Sequence, residues 1–167
     1  MAGIDDMGAE NSKQGICGFT STLYALHMSR PQLQGQLERA LDDSTRRTRL
    51  MAEIKTFLQM MKAAGNDTVL GQITELTRTF PNYGGWSVDA YIKQINAQGT
   101  GDYSVAMPPE AVMEYMRTVW EMRPVLTDKT LPGDAILGLT RTGGPQNRWK
   151  NLAHYVYQSA GGKIYSW

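Results

Sequence analysis

The sequence has no second cysteine. Cys17 stands alone in 167 residues, so no internal disulfide can form, and the redox compartment stays open. Histidine is nearly as scarce: His27 and His154 are the pair, too few beside Cys17 for a Cys/His metal site, and neither a metal nor another cofactor is expected. Blocks of like charge are also missing. With 17 basic and 16 acidic residues and a net charge of +1, nucleic acid and anionic membranes are not expected partners. No apolar run reaches the length of about eighteen residues that a spanning helix needs. Met1 to Lys13 is polar and contains Gly and Asp, without the basic-then-apolar order of a signal peptide. Residues 1–13 read as a flexible lead-in to a soluble protein, compatible with export by a specialised system that uses no cleaved signal.

What is present suits one domain over residues 1–167, because 41% hydrophobic residues can bury a core without disulfide or metal staples. Apolar residues at helical spacing place an amphipathic helix over Cys17 to Ser29, stopped by Arg30-Pro31, and a second over Gln32 to Leu41. A longer helix, capped by Asp43 or Ser44, runs through Leu50, Ile54, Phe57, Leu58 and Met61 to Ala64, where Gly65-Asn66 ends it. Asn66 or Asp67 opens a helix to Phe80, Ser87 caps Val88 to Ala97, and Pro108-Pro109 opens one reaching Trp120 after an extended piece from Tyr103 to Met107. Together, residues 32–120 form a helical middle.

After Arg123 the period changes. Pro124–Thr127, Ala135–Thr140, Leu152–Gln158 and Lys163–Trp167 read as strands, with Arg141 to Lys150 as a loop and Ser159 to Gly162 as a hairpin turn. Helices first and an antiparallel meander last make an α+β domain.

The chemistry concentrates at Gln14-Gly15-Ile16-Cys17-Gly18-Phe19-Thr20-Ser21. A cysteine at a helix N-terminus meets unpaired N–H groups and the positive end of the helix dipole, and both favour thiolate. Gly15 and Gly18 leave room for a substrate backbone, while the Gln14 side chain and the Cys17 N–H can donate to an oxyanion. The bland alternative is a small buried hydrophobe ahead of a helix. His27 lies ten residues along the same helix, about 15 Å away along its axis, and reads as a half-exposed histidine out of reach. His154, in the middle of a strand, is the available partner for the thiol.

Gln14-x-x-Cys17-Gly-Phe-x-Ser opening a helix, with His154 on a late strand and a hairpin ending Ile164-Tyr165-Ser166-Trp167, resembles the papain-like cysteine hydrolases. Peptidases, amidases, deamidases and transglutaminase-like enzymes belong to that superfamily, many of them bacterial effectors and toxins. The resemblance covers roughly the first thirty and last thirty-five residues. It implies a nucleophile helix packed on a C-terminal antiparallel sheet, Cys17 as nucleophile, His154 as general base and Gln14 as oxyanion donor. It also implies a protein or peptide substrate, with a cognate inhibitor or immunity protein as a further partner. One departure stands out: simple hairpin pairing sets Trp167, not an amide or carboxylate, opposite His154. A chain that continues past Trp167, a terminal carboxylate or loop residue such as Asp134 or Asn151, and a plain dyad are the alternatives.

The expected chemistry is attack on a peptide or carboxamide carbonyl, an acyl-enzyme, and its hydrolysis, giving proteolysis, amide cleavage or glutamine deamidation. The rivals are a non-catalytic protein-binding module with a buried Cys17 and a transglutaminase-like acyl transferase. Trp86, Trp149 and Asn151 are candidates to line a groove, with tryptophans as core anchors the ordinary alternative.

Overall fold

The computed structural model describes residues 16–41, 46–81, 83–99, 104–129 and 133–166. Gln14, Gly15, the lead-in 1–13, the Asp43/Ser44 cap, Tyr103 and Trp167 lie outside them. Among the described residues the chain forms six helices followed by a three-stranded antiparallel sheet, an α+β arrangement. The helices are α1 (Cys17–Ser29), α2 (Pro31–Leu41), α3 (Arg46–Ala63), α4 (Asp67–Arg78), α5 (Val88–Gln98) and α6 (Pro109–Trp120); the strands are β1 (Ala135–Thr140), β2 (Leu152–Gln158) and β3 (Ile164–Tyr165). No described helix is long and apolar enough to cross a membrane.

Helix boundaries follow local chemistry. Asn66 accepts a hydrogen bond from the Val69 N–H at the start of α4, and Ser87 does the same for Ala90 at the start of α5, each removing one orphan donor of a first turn. Gly99 ends α5 in the left-handed region at φ 72°, where a missing Cβ removes the steric cost. Pro109 occupies the first turn of α6 after an extended Pro108, so its absent N–H costs nothing.

The α1 helix departs from the expected amphipathic form, because every residue from Gly18 to His27 is buried. It packs against β1 and β2 and also against α2 and α6, and a helix covered all round has no polar face to spare. Two of its buried hydroxyls turn back onto their own helix, Thr22 donating to the Gly18 carbonyl at 2.8 Å and Thr20 to that of Cys17 at 3.2 Å, whereas the Ser21 hydroxyl has no partner among the described residues. His27, expected to be half-exposed, is buried against the Tyr24 ring.

Phe19 links α1 to the helical core, its ring edge-on to Phe57 of α3 and Tyr115 of α6 at 6.1 and 4.9 Å. Phe57 and Tyr115 close the triangle at 5.3 Å, and the Tyr115 hydroxyl donates to Glu53 at 2.8 Å, which satisfies its polar end. On the sheet side, Tyr24 packs between Tyr157 of β2 and Tyr165 of β3, at 6.0 and 4.7 Å. Trp86 is a core anchor, almost fully buried.

In the sheet, β1 pairs with β2 from Ala135↔Gln158 to Leu139↔His154, with a bulge before Thr140↔Leu152. The β2–β3 hairpin pairs Tyr157 with Tyr165 and Gln158 with Ile164, one residue out of the expected register. That shift follows from the turn: the Ser159 N–H donates to the Lys163 carbonyl, and the Lys163 N–H returns to the Ser159 hydroxyl. The expected last strand, Lys163–Trp167, shortens to Ile164–Tyr165. Pro124–Thr127 forms no strand at all; Val125 is 84% exposed and nothing pairs with it.

Replacing Phe57 with Ala removes the centre of the aromatic triangle and is expected to cost about 3–5 kcal/mol, whereas Val125→Ala should stay within about 0.5 kcal/mol of wild type. Urea unfolding midpoints of the two variants check this contrast.

Candidate active site

Cys17 is the first residue of α1, and Ile16 before it supplies no side-chain cap. Phe19 and Thr20 give their N–H groups to the Ile16 carbonyl. The N–H groups of Cys17 and Gly18, and that of Tyr155 on β2, lie near enough to the Cys17 thiol to lower its pKa. An uncapped helix start thus directs its orphan donors at the thiol. Burial nonetheless dominates: it pushes the thiol above its ordinary value of 9.0, and the three amides only partly pull it back. The resting group is therefore a protonated thiol, not the thiolate that the helix terminus alone would favour.

Folding does bring α1 against β2, and the strand residue near the thiol, Tyr155, is the next one after His154. The imidazole itself is placed differently. Alternation along β2 sets His154 on the face of Val156 and Gln158, opposite Tyr155 and Tyr157, and it is Tyr157 that meets α1 through Tyr24. The His154 Nε2 pairs with the Ser166 hydroxyl at 3.1 Å. Among the described residues no hydrogen bond joins the thiol to the imidazole, and Nδ1 is left open. Partial burial lowers the His154 pKa below 6.5, so the ring is neutral at pH 7 and able to accept a proton.

Ser166 is the partner that pairing from the sequence missed. Placing Trp167 opposite His154 assumed a register one residue away from the observed one, and a hydroxyl was not among the orienting groups sought. Asp134 accepts from the Tyr157 hydroxyl at 2.8 Å and Asn151 from the Asn147 N–H, so neither holds the histidine. Gln14, the expected oxyanion donor, lies outside the described residues.

Gly18 does not leave room for substrate. A Cβ there would lie 3.2 Å from the Met107 methyl and 3.5 Å from Val112, so the missing side chain serves close packing of α1 on α6 and the segment before it. Beside this contact runs the loop leading into β2. Asn147 organises it, accepting from the Trp149 and Leu152 N–H groups and donating to the Pro145 and Leu152 carbonyls. Arg148 forks onto both Glu75 oxygens at 3.0 Å and lies over the Trp149 ring, while the Trp149 indole donates to Glu110 of α6 at 3.2 Å. Trp149 is thus held beside the site by its polar edge.

Tyr155 fills the space between β2 and α1. Its ring covers Gly138 of the neighbouring strand, and its hydroxyl is buried with no hydrogen-bond partner among the described residues. Burial first, then the nearby Cys17 and Glu110, hold this phenol well above its ordinary pKa. Among the described residues no group of three or more His, Cys, Asp or Glu is placed to hold a metal.

The pKa directions fix two pH dependences. In the free protein, alkylation of Cys17 by iodoacetamide is expected to rise with a midpoint above pH 9.0, because the raised thiol pKa delays thiolate formation. The depressed His154 pKa means that the unfolded chain binds more protons below pH 6.5; stability is complete above that value and falls as the pH drops through it. Urea midpoints measured from pH 8 to about pH 5 should show this loss for wild type and a smaller one for His154→Gln.

No protein-family model, no curated protein and no solved structure matches this chain.

Proposed function

We propose that the protein is a cysteine hydrolase of papain-like design that attacks a peptide or carboxamide carbonyl through Cys17, with His154 as general base. The observation that supports this reading is the packing of the helix that Cys17 opens against β2, the strand that carries His154, with the Tyr155 N–H near enough to the thiol to lower its pKa. In the proposed reaction the open Nδ1 of His154 takes the thiol proton as sulfur bonds to the carbonyl carbon. The amine or ammonia leaves with a proton returned by the imidazolium, and water resolves the thioester. Because His154 and the α1-facing Tyr157 lie on opposite faces of β2, the proposed reaction requires that substrate binding bring Nδ1 to Sγ. Ser166 on Nε2 orients the ring from behind, and Gln14 and the Cys17 N–H are the proposed oxyanion donors.

Proteolysis, amide hydrolysis and glutamine deamidation share this intermediate. The proposed setting is a bacterial effector or toxin acting on a protein of another cell, with an immunity protein or inhibitor as its natural partner. A second reading, a protein-binding module, is favoured by the burial that keeps the thiol protonated and by the pairing of His154 with Ser166.

Thiol reactivity and product masses separate the two. If His154 is the base, His154→Ala slows Cys17 acylation by about a hundredfold or more, and casein gains either new N-termini or about 1 Da per deamidated glutamine, an outcome of the shared acyl-enzyme. Cys17→Ala abolishes both. Ser166→Ala should lower turnover by about tenfold, in line with loss of one orienting hydrogen bond. Acylation and alkylation rates unchanged by His154→Ala, with no product from casein, decide for the binding module.

A further inference from the structure

Tyr157 and Tyr165 both meet Tyr24 of α1, so alternation along the strands turns His154 and Ser166 to the other face of the sheet. There the His154 Nε2 stands 3.1 Å from the Ser166 hydroxyl, the separation that joins a nucleophile to its base. Nδ1 has no hydrogen bond among the described residues. With the ring proton on that nitrogen, Nε2 is the acceptor and the serine O–H donates to it. Partial burial keeps the imidazole neutral at pH 7, the form in which it accepts a proton. Ser166 is exposed and already paired with its base, whereas the Cys17 thiol is neither. Apolar side chains flank the pair: Leu139, opposite His154 on β1, is 43% exposed, and Ile164, two residues before Ser166, is 48% exposed. They offer an acyl chain apolar surface next to the hydroxyl.

We infer that Ser166 and His154 form a second nucleophilic site, a serine–histidine dyad that hydrolyses esters carrying an apolar acyl group. This site goes beyond the Cys17 reading and does not rest on it, because it uses the other ring nitrogen and the other tautomer. As Ser166 Oγ bonds to the ester carbonyl carbon, its proton passes to Nε2 and the π electron pair of the C=O moves to oxygen. When the C=O re-forms, the bond to the alcohol oxygen breaks and the imidazolium gives its proton to the departing alcohol. Water, deprotonated by the same Nε2, then attacks the acyl-serine and frees the carboxylic acid, and the serine oxygen recovers its proton. Esters suit the pair better than amides. An alkoxide or phenolate leaves with less help from an acid than an amine does, and among the described residues no carboxylate holds Nδ1 to strengthen the base.

An alkyl fluorophosphonate tests the dyad, because an activated hydroxyl displaces its fluoride: the Oγ–P bond forms, the P–F bond breaks, and the proton passes through Nε2 to water. Peptide mass mapping of labelled wild type is expected to place the adduct on Ser166, and His154→Ala should slow that labelling by about a hundredfold or more. The thiol introduced by Ser166→Cys, told apart from Cys17 by its peptide, gives a second readout. Iodoacetamide should alkylate it near pH 7 at least about tenfold faster than in the Ser166→Cys, His154→Ala double variant, since the imidazole raises the thiolate fraction. Turnover is read with p-nitrophenyl butyrate, quenched in acid so that the acyl-enzyme survives; the butyryl group is expected on Ser166 in wild type and not in His154→Ala. Labelling of Ser166 that is absent, or equally fast without His154, overturns the inference and leaves the Cys17 reading intact, with Ser166 only orienting the ring. A butyryl group found on Cys17 alone overturns it as well and favours the thiol.

Discussion

Everything at the candidate site depends on the burial of α1 on all sides. A helix covered by the sheet, by α2 and by α6 cannot expose its first turn, so the N–H groups there must find acceptors inside the protein. The sulfur of Cys17 is the acceptor within reach. The same burial that assembles this nest also sets its cost, because a thiolate in dry surroundings is penalised more than three amides repay. Two opposing effects therefore act on one atom: amide donors and the helix terminus favour the anion, desolvation disfavours it, and desolvation wins at rest. A reaction at this sulfur needs a proton acceptor that arrives with the substrate or is drawn in by it.

Much of the architecture was legible. Caps at Asn66 and Ser87, the Pro108-Pro109 start, the Gly99 stop and the switch to β-rich segments after Arg123 all rest on interactions within a few residues, and the structure reproduces them closely. Burial was less legible, because it is decided by neighbours distant in sequence. Thr20, Ser21 and Thr22 look like a polar face of α1 when the helix is read alone, yet back-bonding within the helix lets Thr20 and Thr22 go inside. Pro124–Thr127 has the composition of a strand but finds no partner, and composition carries no information about pairing.

At the site, the meeting of the N-terminal helix with the late strand was foreseen, but its atomic detail was not. The one-residue change of hairpin register turns on how the Ser159 hydroxyl and backbone settle the turn, and it moves Ser166 to the imidazole. Gly18 appeared open because a glycine before a helix can admit a ligand or a neighbour, and only the position of Met107 distinguishes the two. The burial of the Tyr155 hydroxyl left no sequence signal. An aromatic at that position looks like ordinary core until its oxygen is found to lack a partner among the described residues.

The tyrosine clasp of Tyr24, Tyr157 and Tyr165 grips α1 two turns along from Cys17, about 10 Å down the axis. Between the clasp and the sulfur stands Phe19, held edge-on by Phe57 and Tyr115, so the helix is gripped at two points along that length. A tilt of about 10° at the rings would carry the sulfur nearly 2 Å, given that arm length. Motion of this size is opposed by the Phe19 ring in its aromatic triangle and by the contact of Gly18 with Met107 and Val112. Aromatic packing several residues away, rather than any contact of its own, then fixes where the sulfur sits against β2.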